Sequence, residues 1–446
     1  MDQDDILWAQ NTLLASGRRT PSEEVDAYRV LAQVGPAAYL PRLVEALGRL
    51  SYDTSRGTWH PASLALSEEA VAAARNIDPA EPARDDILYG ALNACQRQLY
   101  MLGRRVEGLA MRAEMLAVGR AQAKLSGEPA VKGLEIWAAG LSEEGRYAES
   151  AEAMDEFVAA ELPGGPRDGS LAWPLLMWIA ALADAGRSDD ALAAFETLVG
   201  MEAAEAANDR VPVSCHLYSL IGYARMLDTC GRAEEAAAVR QEALVLLTEL
   251  AATGERTSWR NYQASFWAVL LSFPGAEGER PAPGVPAPGV PAPGVPAPDV
   301  PAPGEPRPPS GAEPTQWSPD VRQRYFDSRT ALRGEVENLA RSAGTAADPD
   351  EHLPELARIQ RVLTVRSAVY WANCSHLFPE KVRPLFDDGV TLARRLSVRH
   401  PVEGHRLVLA GALMDRTTFH VAAGEFGRAL DDFREALLHC VGEAAR

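Results

Sequence analysis

Six of the eight histidines (His352, His376, His400, His405, His420 and His439) fall after residue 350, in company with Cys374 and Cys440. Imidazole and thiolate are the usual zinc ligands, so a metal centre is the first chemistry these residues suggest. Their spacing argues against it. His400 and His405 are five apart, and the adjacent His439 and Cys440 point to different faces of a helix. They read as structural or surface residues, and we assign no metal ligand. A second concentration is TVRSAVYWANCSHLF, 364–378, where Arg366, Tyr370 and Asn373 stand four and three apart on one helical face. Those three could form a polar binding stripe; the alternative is that Tyr370 and Trp371 fill a core while the rest face water.

The motifs that would give catalysis a residue to start from are missing. There is no GxxxxGK[ST] loop for phosphates, no GxGxxG after a strand, no HExxH, no GxSxG and no EF-hand loop. The chain is therefore expected to be non-enzymatic and to need no cofactor.

The residues that must position any site are those of helices. Hydrophobic residues make up 47% of the 446 positions and aromatics only 7%, so alanine, leucine and valine supply the apolar share and favour helix over strand. The formal charge is -18, and only Lys124, Lys132 and Lys381 are lysines. Such a balance argues against direct nucleic-acid binding, which needs clustered cations to neutralise phosphates. The N-terminal MDQDDILWAQ carries aspartates where an export signal would carry cations, and the apolar run Leu171–Ala183 is too short to cross a membrane. Five cysteines without a CxxC fit reduced thiols. A cytoplasmic location without membrane association is the expectation.

From Pro281 the chain reads PAPGV PAPGV PAPGV PAPDV PAPGE PRPP, with 13 of the 32 prolines in 29 residues. Proline fixes φ and removes donors, so this stretch is expected to be an extended, disordered linker over 281–310. A PxxP ligand role is the alternative to a passive spacer. The expected division is an array over 1–280, carrying about -16 of the charge, and a nearly neutral helical module over 311–446. Helical stretches in the latter are expected at about 318–344, 350–374, 378–397, 404–421 and 425–440.

Within the first part a turn recurs. LGRRVEGLAMRAEML, EGRYAESAEAMDEF, AGRSDDALAAFETLV and CGRAEEAAAVRQEAL place Gly103, Gly145, Gly186 and Gly231 at intervals of 42, 41 and 45 residues, with a small residue five positions on. Such a period marks a solenoid. The glycine can end the first helix in a left-handed conformation, and the small residue lets two helices approach. Ahead of the glycines, Trp137, Trp178 and Tyr223 lie in apolar patterns at helical spacing.

In these positions the chain resembles the tetratricopeptide repeat (TPR) family, whose pattern is also met by Gly424, Phe426, Ala429, Phe433 and Ala436 in GEFGRALDDFREAL. The likeness covers about 83–275 and 404–440, and less clearly 38–76. The repeats exceed the usual 34 residues, as in the long arrays that accompany actinobacterial regulators. The resemblance implies an all-α fold: a right-handed α-solenoid of TPR-like helical hairpins, a proline-rich linker and a second, smaller all-α module ending in a TPR-like hairpin.

What the resemblance implies about function is a protein or peptide ligand held in a concave groove lined by the first helix of each hairpin. Its groove positions fall on Asn93, Arg97, Tyr100, Lys132, Glu135, Trp173, Tyr218, Arg225 and Tyr262. Arg97, Lys132 and Arg225 would set cations in that groove and favour an acidic or carboxylate-bearing ligand. The family's carboxylate clamp is not reproduced, because Glu135 and Leu176 stand where polar clamp residues would be needed. The expected role is an interaction scaffold or adaptor, regulatory in character. The alternative is a ligand- or peptide-sensing module that acts through a partner regulator.

Overall fold

The computed structural model of the chain describes residues 3–14, 17, 19–55, 61–162, 171–257, 260–273, 306–345, 350–374, 378–399 and 402–440. The proline pentads over 281–305 and Gly275, the expected turn of a further repeat, lie outside the described residues, as do His376 and His400.

Among the described residues all regular structure is helical. In chain order the helices are α1 (Gln3–Leu14), α2 (Pro21–Val34), α3 (Pro36–Thr54), α4 (Pro61–Arg75), α5 (Arg84–Met101), α6 (Arg105–Ser126), α7 (Leu134–Glu143), α8 (Tyr147–Glu161) and α9 (Ala172–Asp184). They continue with α10 (Ser188–Ala207), α11 (Val213–Thr229), α12 (Ala233–Thr253), α13 (Arg260–Ser272), α14 (Pro319–Thr345), α15 (Leu353–Cys374), α16 (Phe378–Arg399), α17 (Glu403–Ala422) and α18 (Phe426–Cys440). The last five lie within a few residues of the helical stretches expected from sequence.

The recurring turn forms by one local mechanism. Gly103, Gly145, Gly186, Gly231 and Gly424 all have φ between +74° and +78°, where a Cβ would be strained. The residue after four of them reaches back to the helix it leaves: Arg104 N–H donates to Leu99 O at 2.8 Å, Arg187 to Leu182 at 2.9 Å, Arg232 to Leu227 at 2.8 Å and Glu425 to His420 at 2.8 Å. These bonds satisfy carbonyls that a helix end leaves open. Five residues past each glycine, Ser150, Ala191, Ala236 and Ala429 are buried. At Gly108 a Cβ would come within 3.0 Å of the Tyr100 ring.

A further regularity escaped the sequence reading. The arginine after each of the first four turn glycines pairs with the carboxylate three residues on: Arg104 with Glu107, Arg146 with Glu149, Arg187 with Asp190 and Arg232 with Glu235. Each carboxylate also sits in the first turn of its helix, where the helix dipole favours it. The signal was present as a Gly-Arg-x-x-acid spacing.

The chain forms two compact units. The first comprises 1–141, 159–163 and 318–320; the second comprises 142–158, 164–317 and 321–446. In the first, α2, α3, α4, α5 and α6 pack each on the next around Val44, Leu47, Leu64, Val71, Leu92, Leu99 and Met115. Each fully buried leucine or valine contributes about 1.5–3 kcal/mol. In the second, α9 to α12 and α15 to α18 pack in the same consecutive way, as in a TPR-like solenoid.

The division expected at the proline-rich segment is not where the compact units separate. The second unit takes in helices from both sides of it: α13 packs on α15, and α12 on α18. Trp267 on α13 is 1% exposed and donates from Nε1 to Thr418 Oγ1 on α17 at 2.9 Å. The helix that begins at the repeat position Tyr262 thus has a packing partner in 353–374.

Candidate functional site

The expected groove residues fall into both units. In the first, Asn93 on α5 is half-buried and accepts from Gln96 Nε2 at 3.1 Å, while Arg97 is exposed. Tyr100 has no surface to offer a ligand. It is 0% exposed, with the guanidinium carbons of Arg105 and Arg112 at 4.8 and 4.6 Å from its ring centroid. Gly108 on α6 leaves the hollow that admits the ring. Arg112, itself 1% exposed, donates to Gln96 Oε1 at 3.2 Å and to the Ile136 carbonyl at 3.1 Å.

Lys132 lies in the turn ahead of α7. Its Nζ is 3.2 Å from Asp86 Oδ1 and 4.2 Å from the Tyr89 ring centroid. Glu135 is half-buried, and burial, assisted by Glu161, raises its carboxyl above the ordinary value.

In the second unit Trp173 and Tyr262 come together, ring centroids 5.5 Å apart and nearly perpendicular, and Phe266 joins them at 5.8 Å from Trp173 and 5.9 Å from Tyr262. Trp173 and Tyr262 remain partly exposed. The surroundings are acidic. Glu202, 1% exposed, is pushed up to about 8 by burial and by Glu205. Burial likewise raises the Tyr262 phenol well above its usual range, with Glu202, Cys215, Glu313 and Glu205 adding to it.

Tyr218 and Arg225 turn inward. Tyr218 is 2% exposed, and both line a cavity of about 10 Å³ with Trp267 and Thr418. That is room for one water and for no peptide side chain. Arg225 donates from Nη2 to Asp415 Oδ1 at 2.7 Å, and Arg361 on α15 donates from Nε to Oδ2 of the same carboxylate at 2.9 Å. Burial alone would raise the Asp415 carboxyl, but the two guanidiniums outweigh it and hold it below the ordinary value. Arg225, one of the three cations expected to meet an acidic ligand, is thus neutralised by the chain's own Asp415, 190 residues away.

The stripe on α15 is also engaged internally. Arg366 donates to Ser328 Oγ at 2.6 Å and lies over Tyr325. Tyr370 packs edge-on to Phe326 and Trp371, with Arg329 above its ring, and Asn373 donates to the Val369 carbonyl at 2.8 Å. Core packing is the reading these contacts favour. Of the histidines, His420 is 5% exposed, with Nδ1 2.9 Å from Glu425 Oε2 and Nε2 3.6 Å from Asp432 Oδ2. Burial lowers its pKa despite those carboxylates. Among the described residues no group of three or more His, Cys, Asp or Glu is placed to hold a metal ion, and no helix is long and apolar enough to cross a membrane.

Sequence reasoning missed the ordered run that follows the pentads. Arg307 N–H donates to the Glu143 carbonyl at the end of α7, at 3.3 Å. Gly311, φ +75°, lies so close to α9 that a Cβ would stand 2.3 Å from Leu176 O and 2.8 Å from Ala180 Cβ. Composition could not single this run out, because its prolines continue those of the pentads.

The left-handed glycine turns and the consecutive packing of hairpins define a TPR-like helical repeat fold. No protein-family model matches the chain, and no curated protein matches it. Among solved structures 33 chains match, one of them the TPR domain of P58(IPK), at 11% identity over 98% of this chain and 92% of that one, with a TM-score of 0.21.

Proposed function

We propose that this chain is a non-catalytic protein-interaction scaffold that binds an extended peptide of a partner across the first helices of its hairpins in the second unit. The observation that carries this reading is the partly exposed ring cluster of Trp173 and Tyr262, on α9 and α13, in acidic surroundings. Aromatic side chains offer large contact area with few rotors, and they dominate peptide interfaces. Because Arg225 is paired with Asp415 and the rings stand among Glu202, Glu205 and Glu313, the partner's anchors are apolar or basic rather than acidic.

The test is selection of a random peptide library on the full-length protein, followed by affinity measurement for the enriched peptides. Trp173→Ala is expected to weaken them at least tenfold, about 1.4 kcal/mol. Equal retention by the variant, with unchanged helicity, would place the binding face elsewhere.

A further inference from the structure

The run Pro306–Trp317, PRPPSGAEPTQW, lies against Glu143 at the end of α7 and against α9. Its Arg307 amide meets the last residue of α7, and its Gly311 backbone presses on α9 between Leu176 and Ala180. Leu176 is one turn along from Trp173. Further on, Glu313 is among the carboxylates that act on Tyr262 of α13. The run therefore presses on α9, the helix that carries Trp173, with its Glu313 on the side of Tyr262.

The run also has the chemistry of a ligand for that face. Pro306, Pro308, Pro309 and Pro314 carry no N–H, so an extended chain can be laid against helices with few donors left to satisfy. Gly311 alone permits the approach to the Leu176 carbonyl. Pro309, Ala312 and Trp317 are buried, and the Trp317 indole donates to Ala312 O at 3.0 Å, closing the far end into a turn. Only one hydrogen bond between this run and α7 or α9 is found among the described residues, the one from Arg307. Shape and apolar contact hold it.

Resting on the scaffold reading, we propose that Pro306–Trp317 is a tethered ligand occupying the peptide-binding face in cis, and that the partner it competes with is an extended peptide of the same kind, proline-flanked with a glycine at the α9 contact. A tether on one chain gives an effective concentration of about millimolar order, so a partner must outcompete the resident run. The face is then closed by default and opened by displacement.

The full-length protein and its Gly311→Val variant are titrated with a fluorescein-labelled PRPPSGAEPTQW peptide. The valine excludes the resident run, so the variant is expected to bind the peptide at least tenfold more tightly than the wild-type chain, with helicity retained. A peptide carrying the same glycine-to-valine change is expected to bind neither protein. Equal affinity for the two proteins overturns cis occupancy while leaving the scaffold reading intact, and failure of both to take this peptide or any library peptide overturns both. A variant that loses helix without gaining binding makes the run a fixed part of the core and also overturns the proposal. Hydrogen exchange on the wild-type chain gives an independent measure. The amides of Arg307 and Ala312 are expected to exchange at least a hundredfold faster than those in the middle of α9 and α11; exchange only on global unfolding sinks the tethered-ligand model.

Discussion

A buried polar cluster in the first unit and one in the second differ in charge and in reach. In the first unit Ser51, Ser63, Ser67 and Gln98 are all buried and bond among themselves, with Gln98 Nε2 2.7 Å from Ser51 Oγ and 3.0 Å from Ser67 Oγ, and Ser63 Oγ 2.7 Å from Gln98 Oε1. This cluster is neutral and joins α3, α4 and α5, neighbours in the chain. In the second unit Asp415 on α17 receives Arg225 from α11 and Arg361 from α15, joining helices on opposite sides of the proline pentads. Neighbouring hairpins are held in register by short connections, so hydrogen bonds suffice there. Helices 190 residues apart have no such constraint, and a buried carboxylate with two specific guanidiniums fixes which faces meet. This is the registry role of a buried ion pair, and it need not add net stability.

The strongest challenge to that contrast is Asp415→Ala, which leaves two guanidiniums without their counter-ion. Arg225 and Arg361 keep some solvent access, 18% and 32%, so the expected loss is about 3 kcal/mol, the low end for a broken buried pair. Urea denaturation at pH 7 reads it. The depressed carboxyl adds a sign that can be checked. A group whose folded pKa lies below its unfolded value stabilises fully above that unfolded value, so the wild-type advantage over the variant is expected to hold above about pH 4 and to shrink progressively as pH falls further, through the lower folded pKa.

Glu202→Gln sharpens the contrast from the other side, since Glu202 is a buried acid whose electrostatic neighbour among the described residues is another acid, Glu205. Its raised pKa means the folded state holds a proton that the unfolded state releases. The wild-type chain therefore loses stability as pH rises from about 4.5 toward 8. The variant is expected to be more stable than wild type at pH 8 and indistinguishable from it at pH 4. A pH-independent difference between the two would refute this account.

Gln98→Ala should give the smallest effect, about 1 to 2 kcal/mol, because the three serines keep bonds to one another and only part of the cluster is left unsatisfied. Its cost should not change between pH 4 and 8. If the variant instead matches Asp415→Ala in size, or its midpoint moves with pH, the distinction between neutral local and charged long-range clusters fails.

The site was legible only in part, and particular residues show why. Trp173 and Tyr262 meet, with ring centroids 5.5 Å apart. Tyr100 shares their spacing, yet Gly108 admits it to the interior. A glycine facing a tyrosine across two helices is a tertiary fact that no spacing within one helix reports. Arg225 looked like a groove cation because its position on the first helix of a hairpin is local information. Its carboxylate is not local. The spacing of the His and Cys residues after 350 says nothing of the cradle of Glu425 and Asp432 around His420, which depends on a hairpin closing.

By itself the sequence determined helices, their ends and the hairpin repeat, because each of these is a short-range matter: left-handed glycine at a turn, a small residue five positions on, apolar residues at a 3.6 period. The tertiary structure decided which hairpins become neighbours and which polar groups lose contact with water. It placed 353–374 beside α13, gave Asp415 to Arg225 and laid Pro306–Trp317 along α9. The physical reason is range. Backbone conformation is fixed within a few residues, whereas burial and charge pairing depend on surfaces that meet only when the chain has folded.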